Sequence, residues 1–190
     1  MSKTKTDILT SALACFMEKG VEQTSIADIR DRSGISVGSI YHHFGNKDGI
    51  VVALFLSGMQ DHSRNQELAL TQAKTAEAGI KAIVTCYIDW ISDHPDWARF
   101  VFRYRSLVEN SHLAEQNEQQ KRSHFKRLKT WFAPYIESGE IQELPFEVYH
   151  SLIIGPAQDF AQRWLAGKTR GTLSEYRNLY AEAAWQALKT

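Results

Sequence analysis

Residues 33–47 contain no aspartate or glutamate, although 22 of the 190 residues in the chain are acidic. A carboxylate facing the phosphates of a nucleic acid would repel them, so a DNA-binding surface tends to lack acidic side chains. Ser36, Gly38 and Ser39 within this stretch are small, and a helix that begins with small residues can approach the base edges in a major groove. The pattern fits either a DNA-contacting surface or a chance gap in which the serines only cap helices.

Side chains that could hold phosphates lie in or just before the same stretch. Tyr41, His42 and Lys47 offer a hydroxyl, an imidazole and an ammonium group. Thr24 and Ser25 can cap a helix, and the backbone N–H groups at a helix N-terminus attract anions. From spacing alone, DNA binding and simple helix capping explain these residues about equally well.

The elements that must position these residues are predicted from apolar residues at helical spacing. The first helix carries an apolar stripe over residues 8–17 and ends near Gly20. Thr24 or Ser25 can cap a short second helix before Gly34, and Ser36 can cap a third. Two short helices around a glycine have the shape of a helix-turn-helix.

Helical spacing continues from Asn46, which can cap a fourth helix, to the end of the chain. Eighteen of the 21 aromatic residues lie in residues 49–190, which indicates a bulkier core there than in residues 1–48. Gly155-Pro156 predicts a kink or break near 153–155, since proline removes a backbone donor. The later helical stretches are 80–90, 97–108, 112–136, 146–165 and 173–188. The prediction is an all-α protein of about nine helices in two parts, 1–48 and 49–190.

Composition excludes several classes of protein. The formal charge is zero, so bulk electrostatics do not indicate a nucleic-acid or membrane partner. The longest apolar run, 50–56, is far shorter than the roughly 20 residues that cross a bilayer. Cys15 and Cys86 lack CxxC spacing and fit a reducing compartment, so we expect a cytoplasmic protein. The chain has no phosphate-binding glycine loop, HExxH motif or nucleophile elbow, so we expect no catalysis, cofactor or metal.

Residues 29–50, with the sequence IRDRSGISVGSIYHHFGNKDGI, resemble the N-terminal signature of the TetR (tetracycline-repressor-like) family of transcriptional regulators. The resemblance covers about the first 55 residues and includes the Gly-Ile-Ser turn, Phe44 and the Lys-Asp pair that opens the fourth helix. Arg30 and Ser33 depart from the family's small alanines, and Arg30 could add a phosphate contact. Gly49 is a weak helix former that would loosen the start of the fourth helix by ~1 kcal/mol relative to alanine.

The resemblance implies a homodimer in which residues 1–48 bind palindromic double-stranded operator DNA and residues 49–190 bind a small effector and dimerise. It implies that the third helix enters the major groove. The DNA-binding residues would be Thr24, Ser25, Ser36, Val37, Gly38, Ser39, Tyr41, His42 and Lys47. The dimer surface would be 146–165 and 173–188, with a stripe of Val148, Leu152, Phe160, Leu173, Tyr176, Tyr180 and Ala184.

Aromatic residues in the second part could wall a cavity for a largely apolar or aromatic effector, or could simply pack the core. The candidates are Tyr87, Trp90, Phe100, Tyr104, Phe125 and Phe160. Repression is the commoner role in the family, and activation stays open. The alternative from another class is a helical carrier or small enzyme with a vestigial helix-turn-helix. The operator, the effector and the regulated genes are not specified by the sequence.

Overall fold

The computed structural model describes residues 2–109 and 114–190, and these contain nine α-helices and one short 3-10 helix, Ser174–Tyr176. A single bridge joins Ile141 and Lys189 in an otherwise helical fold, which confirms the predicted all-α class. The helices are α1 (Lys3–Lys19), α2 (Ile26–Ser33), α3 (Val37–Phe44), α4 (Lys47–Gln72), α5 (Ala76–Asp93), α6 (Pro95–Glu109), α7 (Ala114–Glu137), α8 (Phe146–Leu165) and α9 (Arg177–Leu188). The predicted start of the 112–136 helix, at residues 112 and 113, lies outside the described residues.

Local hydrogen bonds set the ends of the first helices where the sequence predicted them. Ser25, rather than Thr24, caps α2, and it forms a reciprocal capping box with Asp28. Gly34 ends α2 in the left-handed conformation with φ +70, which glycine adopts without a steric penalty. The hydroxyl of Ser36 then accepts a hydrogen bond from the Ser39 amide and caps α3. The two short helices and the turn between them are therefore encoded locally.

The junction between α3 and α4 requires a glycine at position 49. The side chain of Asn46 caps α4 by accepting a hydrogen bond from the Gly49 amide at 2.8 Å. A Cβ atom at position 49 would overlap the backbone carbonyl oxygen of Phe44. The expectation that Gly49 loosens this junction is wrong, because the missing side chain is what allows the two helices to approach.

The described chain divides into two compact units. The first comprises Met1–Met59 and Asp96–Asn117, and the second comprises Gln60–Pro95 and Glu118–Thr190, in both cases as far as these residues are described. The core of the first unit includes Ile8, Phe16, Ile29 and Ile40, all of them buried. The functional division at residues 48 and 49 stays a prediction, and the first compact unit includes α6 in addition to the helix-turn-helix.

The second unit packs α5 against α8 and α9. Arg177 at the start of α9 donates two hydrogen bonds to the carboxylate of Asp89 on α5, at 2.6 and 2.7 Å. Helix α8 continues through Pro156, so a break near 153–155 is wrong, and a kink there stays a prediction. Proline removes one backbone donor, but Ile153 and Ala157 on either side are buried and keep the helix in place by packing. None of the described helices is long and apolar enough to cross a membrane.

Candidate nucleic-acid interface and ligand-binding residues

Helix α3 has one buried face and one exposed face. Ile40 is buried and Phe44 is half-buried, one turn apart on the inner face. Gly38, Tyr41 and His42, at i, i+3 and i+4, are exposed, and the Tyr41 side chain retains 49% of its accessible surface. The exposed face therefore combines a glycine, a phenol and an imidazole, in a stretch without acidic residues.

The start of α3 is open to a partner. Ser36 is exposed, and Val37 and Ser39 are half-buried. The first amides of a helix lack intrahelical acceptors, so this end carries partial positive charge. A Cβ atom at Gly38 would meet no atom within 4 Å, so the fold itself does not require glycine there. Its small size is therefore available for a close contact with another molecule.

Two predicted phosphate contacts point into the protein instead. Thr24 is only 1% exposed, and its hydroxyl donates hydrogen bonds to the carbonyls of Gly20 and Cys15 at 2.7 and 3.2 Å. The Lys47 ammonium donates to the carbonyls of Val21 and Thr24 at 2.7 and 3.0 Å, and to a third carbonyl at position 22 at 3.2 Å. Both side chains hold the turn between α1 and α2, which corrects their assignment as DNA contacts.

Basic residues around the helix-turn-helix are largely paired with acids. Arg30 donates to Asp31, and Arg32 forms an ion pair with Glu18 at 2.6 Å. Lys19 pairs with Asp28, and hydrogen bonds from Lys19 and Ser25 lower the pKa of the Asp28 carboxyl well below its usual value. Ser25 is exposed, but its hydroxyl is engaged by Asp28. Arg30 is thus placed at the surface, as expected, in a pair with its neighbour.

The six predicted ligand-binding aromatics do not form one group. Phe100 and Tyr104 belong to the first unit, where fully buried Phe100 stacks on Phe16 with ring centroids 5.9 Å apart. The Tyr104 hydroxyl accepts a hydrogen bond from the Val21 amide at 3.4 Å. Packing within the first unit accounts for both side chains.

The other four aromatics lie in the second unit, in three places. Tyr87 and Trp90 on α5 both contact the ring of His62, at centroid distances of 5.6 and 5.9 Å. Phe125 on α7, which is exposed, meets Phe146 and His150 edge to face. Phe160 on α8 lies 5.2 Å from Tyr176 and 5.8 Å from Tyr180. Only the first of these three groups includes buried polar atoms.

Residues 8–54, from α1 into α4, match the family described as bacterial regulatory proteins, tetR family. This N-terminal part of the chain is thus similar to the tetR family. The similarity favours the predicted regulator over a carrier or an enzyme. The chain is 29% identical to the transcriptional repressor KstR2 of Rhodococcus jostii over 60% of its own length and 57% of that protein. It is 24% identical to the repressor AcnR of Corynebacterium glutamicum, over 94% of this chain and 90% of that one.

A solved structure shares the fold of this chain. The regulator FadR of Bacillus subtilis, in complex with stearoyl-CoA, superposes with a TM-score of 0.80 at 21% identity. The superposition covers 94% of this chain and 96% of that one. The helical fold predicted from the sequence is therefore the fold of that regulator.

The predicted dimer surface is partly buried within the protomer. Leu173 and Ala184 are buried in the second unit and are not available to a partner subunit. Leu179 on α9 is 63% exposed, and Tyr176 is also exposed. Phe160 and Tyr180 are half-buried beside them. Three aromatic residues of the predicted stripe, Phe160, Tyr176 and Tyr180, therefore retain exposed surface, and Leu179, which the prediction did not include, lies close to them in the sequence.

Sequence reasoning missed two polar residues in the interior of the second unit. His62 and Gln66 lie on α4, and Gln66 is only 3% exposed. The signal was present in the apolar stripe of α4, in which buried Phe55 and Leu70 flank these positions at helical spacing. A polar residue at a core position of a helix stripe marks either a satisfied network or a binding site.

Proposed function

We propose that this chain is a homodimeric, ligand-responsive transcriptional repressor of the TetR family, and that it binds palindromic operator DNA. The observation that carries the proposal is the exposed, acid-free face of α3, in a unit whose sequence matches the family. A helix of this kind enters the major groove with its N-terminal residues nearest the bases. Repression is supported by the relatives KstR2 and AcnR, both named as repressors.

In this proposal the start of α3 contacts the bases. Ser36, Val37, Gly38 and Ser39 lie nearest to them, and Val37 can contact thymine methyl groups. Helix α3 contains no arginine, asparagine or glutamine, so few bidentate base contacts are available. Much of the sequence preference should then come from DNA shape.

Phosphate contacts come from Tyr41, His42 and the helix N-termini, and Ser25 joins them by exchanging its hydroxyl bond to Asp28 for one to a phosphate. Thr24 and Lys47 act as positioning residues, because their donors hold the turn that sets the start of α2. Their loss would weaken DNA binding through the shape of the helix-turn-helix rather than by removing a charge from the interface.

The dimer is proposed to form through 146–165 and 173–188. The exposed Leu179 and Tyr176, with half-buried Phe160 and Tyr180, support an isologous contact between α8 and α9 of two protomers. One eight-residue recognition helix binds weakly, and two tethered copies raise the effective affinity for a palindrome.

The effector is proposed to bind in the second unit and to act through α4. This helix runs unbroken from Lys47 to Gln72 and contributes residues to both units. An effector that prefers one arrangement of the DNA-binding units lowers operator affinity, and operator DNA lowers effector affinity by the same factor. A regulator of this kind requires no catalysis and no cofactor. The proposed location is the cytoplasm, where the chromosome is.

A titration of the purified full-length chain against the DNA upstream of its own gene tests the proposal. Affinity should depend on sequence and fall steeply with salt, with a slope near −0.9 per neutralised phosphate in a log–log plot. Light scattering should give the mass of a dimer. Equal affinity for operator and scrambled DNA at both low and high salt would refute operator recognition.

A further inference from the structure

Buried polar atoms without hydrogen-bond partners gather in the second unit. They include Nε2 of His62, Oε1 of Gln66 and Nδ1 of His124. Folded proteins pair nearly all such atoms, because a buried donor or acceptor that loses water without gaining a partner is costly. Several such atoms in one small interior therefore indicate a place where another molecule supplies the partners.

The residues that carry these atoms lie on two neighbouring helices. His62 and Gln66 are four residues apart on α4 and share one face of the helix. His124 on α7 lies beside α4, since its Nδ1 is 3.7 Å from Oε1 of Glu67, the residue after Gln66. The ring of Tyr87 on α5 stands edge-on to His62, and Trp90 lies on the same side. Three helices thus contribute polar atoms and flat apolar surface to one place.

The imidazoles in this region are uncharged, and the charged groups beside them already have partners. Burial lowers the pKa of His62 to about 4 and also lowers the pKa of His124, so both rings are uncharged near pH 7. The neighbouring carboxylates are engaged elsewhere. Asp61 accepts a hydrogen bond from Trp90 Nε1 at 3.0 Å, and Glu67 is paired with Arg127. His124 Nδ1 is 3.7 Å from Glu67 Oε1, beyond hydrogen-bond distance.

From this arrangement we infer that the effector is an uncharged, hydroxylated ring compound, held by Gln66 and His62 and flanked by Tyr87 and Trp90. A hydroxyl group is both donor and acceptor, so it can donate to Gln66 Oε1 and accept from the N–H tautomer of His62. A carboxylate or phosphate would need an unpaired cation, whereas the Arg127 guanidinium near His124 is already paired with Glu67. The inference rests on the proposed function, since the ligand is identified as the effector of that regulator.

Three probes of similar size test this chemistry on the full-length protein: β-naphthol, naphthalene and β-naphthoate. Binding can be followed by calorimetry or by quenching of tryptophan fluorescence. β-Naphthol should bind about tenfold or more tighter than either naphthalene or β-naphthoate, because only the phenol can donate to Gln66 Oε1, and the carboxylate also loses its hydration without gaining a cation. A preference for β-naphthoate, or equal binding of β-naphthol and naphthalene, would overturn the inference.

Gln66→Leu provides the matched variant, because it keeps the side-chain volume and removes the unpaired oxygen. This variant should lose about tenfold in affinity for β-naphthol and keep its affinity for naphthalene. Its ligand-free melting temperature should be unchanged or higher, since a buried unpaired atom is removed. Unchanged affinity for β-naphthol would mean that water, rather than a ligand, satisfies this oxygen.

Operator binding without any probe separates the two proposals. If operator recognition holds while β-naphthol shows no preference, only the ligand assignment fails. If the protein shows no operator recognition, the proposed function fails, whichever probe binds.

Discussion

Substituting alanine for Gly38 tests whether the start of α3 approaches the bases. The added methyl group meets no protein atom within 4 Å, so the fold accommodates it. Alanine is the better helix former by about 1 kcal/mol, so the variant should be at least as stable as the wild type. Any loss of DNA affinity would then have its origin at the interface.

The magnitude follows from the proposed geometry. A poor fit at one base pair typically costs about 1–3 kcal/mol, and a dimer places one methyl group in each half-site. The total is about 2–6 kcal/mol, and its lower bound corresponds to a roughly 30-fold weaker operator complex. Non-specific DNA, which is held through phosphates, should be affected much less.

Fluorescence anisotropy with labelled operator and scrambled duplexes, at one fixed salt concentration, measures both affinities. Thermal unfolding by circular dichroism measures stability on the same samples. If Gly38→Ala bound operator as tightly as wild type, with the same preference over scrambled DNA, the start of α3 would not lie against the bases.

Four further variants test the fold and the site. Gly49→Ala should lower the free energy of unfolding by about 1–3 kcal/mol, because the new Cβ overlaps the Phe44 carbonyl; an unchanged melting temperature would contradict that close approach. Tyr41→Phe should weaken binding to operator DNA and to scrambled DNA equally, by about 1 kcal/mol per subunit. Unaltered binding to both duplexes would show that this hydroxyl does not contact a phosphate. Lys47→Met should lower the free energy of unfolding by about 1–3 kcal/mol, because the hydrogen bonds to backbone carbonyls are lost. Weaker DNA binding by a variant of unchanged stability would instead show that Lys47 contacts the DNA directly. His62→Phe should flatten the pH dependence of unfolding. Folding lowers the pKa of His62 from 6.5 to about 4, through burial and the neighbouring His124 and His150, while Asp61 has the opposite effect. The unfolded state therefore binds more protons than the folded state at these pH values. The free energy of unfolding of the wild type should fall by up to about 3 kcal/mol as the pH drops from about 6.5 to about 4. Parallel unfolding curves for wild type and variant across that range would show that His62 is not buried in its neutral form.

Helix starts and ends were predictable because their causes lie within a few residues. The Ser25 cap, the left-handed Gly34 and the Ser36 cap follow from side-chain to backbone hydrogen bonds over three positions or fewer, or from the conformational freedom of glycine. The continuity of α8 was not predictable in this way. Pro156 weakens the helix locally, and only the buried neighbours contributed by other helices keep it intact.

The roles of individual site residues depended on contacts distant in sequence. Lys47 has the side chain of a phosphate contact, yet carbonyls at positions 21–24 take up its ammonium group. Phe100 belongs to an aromatic-rich segment, yet it packs against Phe16 in the first unit. Gln66 is an ordinary polar residue in the sequence, and only its burial makes it a candidate ligand contact.

The sequence by itself determined the helical class, the order of the first helices and the acid-free composition of α3, because periodicity, capping and charge are properties of neighbouring residues. The tertiary structure alone decided which donors remain outside for DNA and which polar atoms are buried without partners. Those outcomes depend on which side chains, tens of residues apart in the chain, are brought together by the burial of apolar surface.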